Sequence, residues 1–272
     1  GDPSLVRVLV SGPDFVHTPA VSGDRVAWVQ WDHPRMPWDG TELVVGLVRR
    51  DRDGRPVGIG DSVVVAGGPD ESVVQPGFTR AGDLVFCTDR TGWWNPWRLP
   101  ASAFGDVGAE SAQILRQRTN VDIPVEAVLA GGGAEVEIGG PLWVGGERWW
   151  TELADGRLLV RVTAEGADGL ALVEPDGRLV HLDTPFTLVS QVVARPEVAG
   201  GAVVVAGSPV SEAAPYRLEV SPTSSSGLAD GEADPSAPTV GLTLLRPPRD
   251  LGIGTEWFSR PRHVTFDSVD GR

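Results

Sequence analysis

Short Val- and Leu-rich runs alternate with Gly, Pro and Asp along most of the chain. Arg25–Val29, Glu42–Val48, Leu84–Cys87 and Ala202–Ala206 are runs of this kind. They are too short for helices, and β-branched or aromatic side chains dominate them, so they predict strands. Asp-Gly pairs at Asp53-Gly54, Asp155-Gly156 and Asp176-Gly177 fall between such runs. Asp-Gly favours the φ > 0 geometry of tight hairpins, so these pairs predict turns between paired strands.

The arrangement repeats. A turn with Gly, usually with Asp, leads into an apolar strand, a polar loop and a second strand. It occurs at Gly23-Asp24 before Arg25–Val29 and at Gly82-Asp83 before Leu84–Cys87. It returns at Asp155-Gly156 before Arg157–Val162 and at Gly200-Gly201 before Ala202–Ala206. Partner strands are predicted at Glu42–Val48, Trp97–Leu99, Gly169–Val173 and Tyr216–Val220. The turns lie roughly 45 to 75 residues apart, against about 40–50 for a compact four-stranded blade. Insertions such as Ala101–Glu137 account for the excess. Four strands per unit, radially repeated, is the β-propeller pattern.

The predicted fold is therefore all-β, a partial propeller over residues 1–258 built of four-stranded antiparallel blades. About four blades are predicted, near residues 14–70, 72–137, 138–189 and 190–250. A helix is predicted only over Ala109–Arg118. Residues 221–239 are rich in Ser, Pro, Asp and Gly and read as a mobile loop. Alternation resumes at His263-Val264-Thr265-Phe266 and runs to Asp270-Gly271, a hairpin signal without a second strand.

Composition narrows the functional classes. The 272 residues suffice for one large core or two modest domains. No stretch approaches the roughly 20 apolar residues of a membrane span. A net charge of −14 repels nucleic-acid phosphates and anionic membranes, so neither is an expected partner. The charge reads as a solubility field rather than a ligand attractor. Every basic residue except the histidines is arginine. The single Cys87 excludes an internal disulfide and a multi-cysteine metal site, and it permits a reducing, cytoplasmic location.

Two long Trp-rich motifs stand out. One is Val26-Ala27-Trp28-Val29-Gln30-Trp31-Asp32-His33-Pro34-Arg35-Met36-Pro37-Trp38-Asp39-Gly40-Thr41-Glu42-Leu43. The other is Cys87-Thr88-Asp89-Arg90-Thr91-Gly92-Trp93-Trp94-Asn95-Pro96-Trp97-Arg98-Leu99. With Glu135-Val136-Glu137-Ile138-Gly139-Gly140-Pro141-Leu142-Trp143-Val144-Gly145, they resemble, in order, propeller blades of the prolyl oligopeptidase family of serine peptidases. The resembled branch contains acylaminoacyl and dipeptidyl aminopeptidases, and the likeness runs from about Val8 onward. It implies a seven-bladed propeller capping an α/β-hydrolase domain with Ser, Asp and His, and admitting short peptides. On that reading Leu5–Val10 is the outer strand of a preceding blade, and residues 259–272 lead towards the hydrolase domain, the expected partner.

The catalytic signature itself is missing. No Gly-x-Ser-x-Gly occurs, and in Gly207-Ser208-Pro209 the proline removes the N–H that an oxyanion hole after the serine would use. His17, His33, His181 and His263 are scattered singly, without zinc-ligand spacing. Asp51-Arg52-Asp53-Gly54 lacks the downstream acids of a calcium loop, and Gly131-Gly132-Gly133 lacks the strand and helix of a phosphate cradle. No catalytic residue, metal or cofactor is predicted.

The candidate contact residues are His33, Trp38, Asp39, Arg90, Trp93, Trp94 and Trp97, from the two Trp motifs. Trp offers a large apolar face and one donor. These indoles suit wedging between blades, a surface facing the hydrolase domain, or contact with peptide substrate. The function expected is that of a non-catalytic propeller segment gating short peptides. A free-standing propeller scaffold that binds proteins or peptides is the alternative. A glycan-cleaving propeller would need carboxylates about 5–9.5 Å apart across a cleft.

Overall fold

The computed structural model describes residues 6–104, 123–221, 238–250, 252–267 and 269. Among them lie sixteen strands in four antiparallel sheets of four, the architecture of a four-blade propeller portion. The first sheet holds β1 (Phe15–Ser22), β2 (Arg25–Trp31), β3 (Glu42–Arg50) and β4 (Pro56–Gly67). The second holds β5 (Val73–Phe78), β6 (Leu84–Thr88), β7 (Asn95–Leu99) and β8 (Glu126–Ala127). The third holds β9 (Trp150–Glu152), β10 (Leu158–Ala164), β11 (Ala167–Val173) and β12 (Leu179–Leu182). The fourth holds β13 (Leu188–Ala194), β14 (Gly201–Ser208), β15 (Ser211–Val220) and β16 (Val240–Leu244). In every sheet the strands lie side by side in chain order. The chain divides into two compact units, Gly1–Glu147 and Arg148–Arg272, with two sheets in each.

The strongest apolar runs are the second strands. All five residues of β6 are buried, as are Val26, Ala27, Trp28 and Val29 of β2. A strand covered on both faces loses polar alternation, and this makes the runs continuous. In the second unit, Leu159, Leu170 and Leu172 pack with Val192, Val204 and Leu218 in one core. Each such leucine contributes about 2 kcal/mol of burial.

The Asp-Gly hairpins follow one geometry. At the first, Gly54 N donates to Asp51 O (3.0 Å) and Asp51 N to Arg55 O (2.9 Å), with Gly54 at φ 77°. The same pair of bonds recurs at Gly156 and Gly177, whose φ values are 90° and 84°. These are three-residue loops in which glycine alone takes positive φ. Turns joining strands 1 to 2 and 3 to 4 of a blade lie at one end of its sheet. The Trp motifs occupy strand 2 to 3 connections, at the opposite end.

Three expectations change. Residues 6–10 form no strand; Val10 instead packs beside Val26, Trp28 and Val44. His263–Phe266 is not a strand either, and Phe266 is 82% exposed. A ladder needs a hydrogen-bonded partner strand, and neither segment is paired with a described strand. Glu135–Gly145 contributes an irregular connection rather than blade strands. The helix expected at Ala109–Arg118 and residues 222–237 of the expected loop lie outside the described residues.

Candidate functional site

The first Trp motif forms the connection between β2 and β3. Asp32 Oδ1 accepts from Asp14 N (2.7 Å), and Asp14 Oδ2 accepts from His33 N (3.0 Å). These bonds clip the lead-in of β1 to the end of β2. Phe15 stacks on Trp31 at 4.9 Å, and the His33 ring meets Phe15 edge-on at 5.0 Å. Asp39 Oδ2 accepts from Met36 N (2.9 Å), so this carboxylate closes its own loop. Trp38 is half-buried, and its ring lies 4.8 Å from that of Trp143, which is 69% exposed.

The second motif repeats the clip between β6 and β7. Asp89 Oδ1 accepts from Ser72 N (2.7 Å), as Asp32 does from Asp14 N. Burial pushes the Asp89 carboxyl above the ordinary aspartate range; the Ser72 amide opposes this, and nearby Glu71 reinforces it. Arg90 donates through Nε (3.0 Å) and Nη2 (2.7 Å) to Glu71 Oε1, which also accepts from Thr88 Oγ1 (2.6 Å). The Arg90 guanidinium lies over the Trp97 ring at 4.7 Å, a cation–π contact. Trp93 is 38% exposed.

Ser72, fully buried, joins the two motifs. Its hydroxyl donates to Pro37 O (2.6 Å) and accepts from Trp94 Nε1 (3.1 Å). The third motif enters through Glu137 Oε2, which accepts from Trp94 N (2.7 Å), and through Ile138 N, which donates to Trp94 O (2.8 Å). The contact is close at Gly139, where a Cβ would stand 2.7 Å from Trp94 Cβ. Beside it, Thr41 Oγ1 donates to Val73 O (2.7 Å) and accepts from Val73 N (2.6 Å).

The three motifs therefore converge within the first unit. Arg90, Asp39 and Trp94 spend polar groups on this network, and Arg90 also covers Trp97. Trp93 and the Trp38–Trp143 pair present apolar surface. Sequence reasoning missed Ser72, Glu71, Asp14, Glu137 and Thr41. The one signal for the clips was an aspartate directly after strand 2 in both motifs, at Trp31-Asp32 and Thr88-Asp89.

Elsewhere, Ser208 lies at the turn from β14 to β15, where its hydroxyl accepts from Val210 N (3.3 Å). Among the described residues, no group of three or more His, Cys, Asp or Glu is arranged to hold a metal. No described helix is long and apolar enough to cross a membrane.

No family model and no curated protein matches the chain. Solved structures do. A puromycin hydrolase is 30% identical over 95% of the chain, with a TM-score of 0.67. A puromycin-hydrolyzing peptidase from Mycobacterium tuberculosis is 30% identical over the whole chain, with a TM-score of 0.72. Prolyl oligopeptidase B from Galerina marginata, 11% identical over 92% of the chain, shares the fold at a TM-score of 0.57. The chain is a propeller portion of the prolyl oligopeptidase family. It spans about a third of the puromycin hydrolases' length, 32% and 35% of the two. In this family the propeller accompanies a catalytic domain. The Ser72 network thus belongs to one end of a prolyl oligopeptidase-type propeller.

Proposed function

We propose that this chain is the non-catalytic propeller segment of a cytoplasmic serine peptidase of the acylaminoacyl or dipeptidyl aminopeptidase branch. In the intact protein it gates the entry of short peptides and braces an α/β-hydrolase domain, towards which residues 259–272 lead. The observation that carries the reading is the 30% identity, over the whole chain, to a peptidase roughly three times as long. The self-satisfied motif network supports a bracing role: its polar groups hold loops in place rather than standing free for chemistry. His33, Trp38, Asp39, Arg90, Trp93, Trp94 and Trp97 are assigned to contact with peptide or catalytic domain, with Trp38 and Trp93 as the apolar surfaces. Buried Cys87 suits a reducing compartment.

The test is biochemical. The reading frame through and beyond Arg272 is expressed intact and assayed on peptides of increasing length beside the isolated chain. Expected are cleavage of short peptides by the intact protein, a cut-off with length, and no labelling of the isolated chain by an active-site-directed fluorophosphonate. Stoichiometric labelling of the isolated chain, or a frame lacking Gly-x-Ser-x-Gly, overturns the reading.

A further inference from the structure

In the first unit, the exposed Phe and Trp residues among those described are Phe15, Trp93 and Trp143. All three stand at the Trp-motif end: Phe15 pairs with Trp31, Trp93 lies in the second motif, and Trp143 lies beside Trp38. The opposite end carries exposed Asp24, Asp51, Arg52, Asp53 and Arg55 around its turns. Protein interfaces are enriched in Trp and Met and depleted of charge at their centres. The motif end is therefore the one fitted to meet another protein surface.

The apolar centre of that end is a crest. Trp143 is 69% exposed and Val144 58%. The Trp38 ring lies 4.8 Å from that of Trp143, and Met36, two residues before Trp38, is 38% exposed. The crest is firmly seated. Before it, Ile138 N donates to Trp94 O (2.8 Å), Leu142 is buried, and Trp143 N donates to Pro141 O (3.0 Å). After it, Glu147 O accepts from Nε2 of buried Gln75 (3.0 Å). The loop that carries Trp38 is closed by Asp39 Oδ2, which accepts from Met36 N (2.9 Å). An aromatic anchor already fixed in place loses little freedom on docking, which is what makes an interface hot spot.

We propose that the Trp143–Val144 crest, with Trp38 and Met36, is the surface against which the α/β-hydrolase domain docks. The inference deepens the bracing reading and rests on it. A short peptide fits this surface poorly, because small-ligand sites are concave and enclose most of their ligand. An indole standing more than half out of the protein instead needs a broad apolar hollow, which a folded domain supplies. The chain spans 32% and 35% of two puromycin hydrolases, so on the parent reading a large domain is tethered to it. Tethering makes docking an intramolecular event, and a compact patch is then enough to hold it.

The test compares the intact reading frame with the isolated chain, both dilute, by hydroxyl-radical footprinting read residue by residue in a mass spectrometer. Exposed His181 is the reference. In the intact protein without peptide, Trp143 is expected to oxidise about five-fold more slowly than in the isolated chain, as for an anchor shielded from water. His181 keeps one rate in both. Equal Trp143 rates overturn the docking surface. Protection that appears only with a millimolar tripeptide such as Phe-Ala-Ala gives the crest to substrate and overturns it too. So does protection that follows protein concentration, the mark of a second copy. Val144→Cys then identifies the partner. Its thiol is labelled with a benzophenone maleimide while Cys87 stays buried. Irradiation is expected to join it to the hydrolase segment bearing Gly-x-Ser-x-Gly, and cross-links confined to any other part of the frame overturn the assignment. A frame lacking that segment sinks the parent reading; a segment present but never cross-linked sinks the docking surface alone.

Discussion

Ser72 holds more of the Trp motifs together than any tryptophan does. Removing its hydroxyl strands Pro37 O and Trp94 Nε1 in a buried site. Ser72→Ala is expected to cost about 1–3 kcal/mol, the penalty for leaving buried groups unpaired, measured as a lower urea midpoint with an unchanged slope. Asp89 makes a different prediction. Its carboxyl sits above the ordinary aspartate range because burial disfavours the charge. The folded state therefore binds this proton more tightly than the unfolded chain, and stability falls as pH rises from about 3.9 through the raised value. Asp89→Asn keeps an acceptor for Ser72 N and removes the charge. Its melting temperature relative to wild type is expected to improve steadily across that pH window; a difference independent of pH refutes the assignment. The clip explains why the motif has an aspartate there at all. Nothing in the sequence marked Ser72, because a lone serine between Glu71 and Val73 looks like any other turn residue.

At the scale of strands and turns, Arg157 ties two sheets of the second unit together. Its buried guanidinium donates to Asp155 Oδ2 (2.8 Å), Val220 O (3.2 Å) and Ser221 O (3.1 Å), with Glu174 Oε1 at 3.9 Å. Burial raises the Asp155 carboxyl, yet the Arg157 bonds outweigh it and leave the group below its usual range. Arg157→Met is expected to cost about 1–3 kcal/mol, since it takes the donor from the buried Val220 carbonyl; chemical denaturation measures it. Legibility differed by strand. Arg25–Val29, Leu84–Cys87 and Ala202–Ala206 declared themselves because second strands are covered on both faces. First strands were hidden: β1 and β5 are interrupted by Thr18-Pro19 and Gln75-Pro76, and both show register shifts there. β8 and β9 hold only two and three residues, too short for any pattern. The candidate residues themselves were visible because Trp is rare and conspicuous. Their purpose was not, because the hydrogen bonds that Ser72 makes and Glu137 accepts cross gaps in the chain that no local spacing reveals.

Across the molecule, exposed apolar strand positions set the behaviour of the isolated chain. On β1, Phe15, Val16 and Val21 are exposed, the last by 64%; on β13, Leu188 and Val193 are exposed as well. Part of the β13 edge is taken by Arg148, whose carbonyl accepts from Val192 N (2.9 Å). β1 is an edge strand of its sheet, and apolar edge strands recruit further strands. The isolated chain is expected to self-associate as concentration rises, seen as a growing weight-average mass in sedimentation equilibrium. Val16→Lys with Val21→Lys is expected to reduce that growth. A strictly monomeric wild type at every concentration would instead favour a free-standing scaffold.

The opposed ends of each sheet also matter for engineering. Asp176-Gly177 closes its hairpin with bonds that stay within residues 174–178, and Asp53-Gly54 adds to the same pattern one bond from Arg50 Nη1 to Gly54 O (3.0 Å). An epitope tag spliced there has little to break. The stretch from Asp89 to Trp94 is wired into Ser72, Glu71 and Glu137, so the same splice would cut the seam joining two blades. A fluorophore or purification handle belongs on the glycine side.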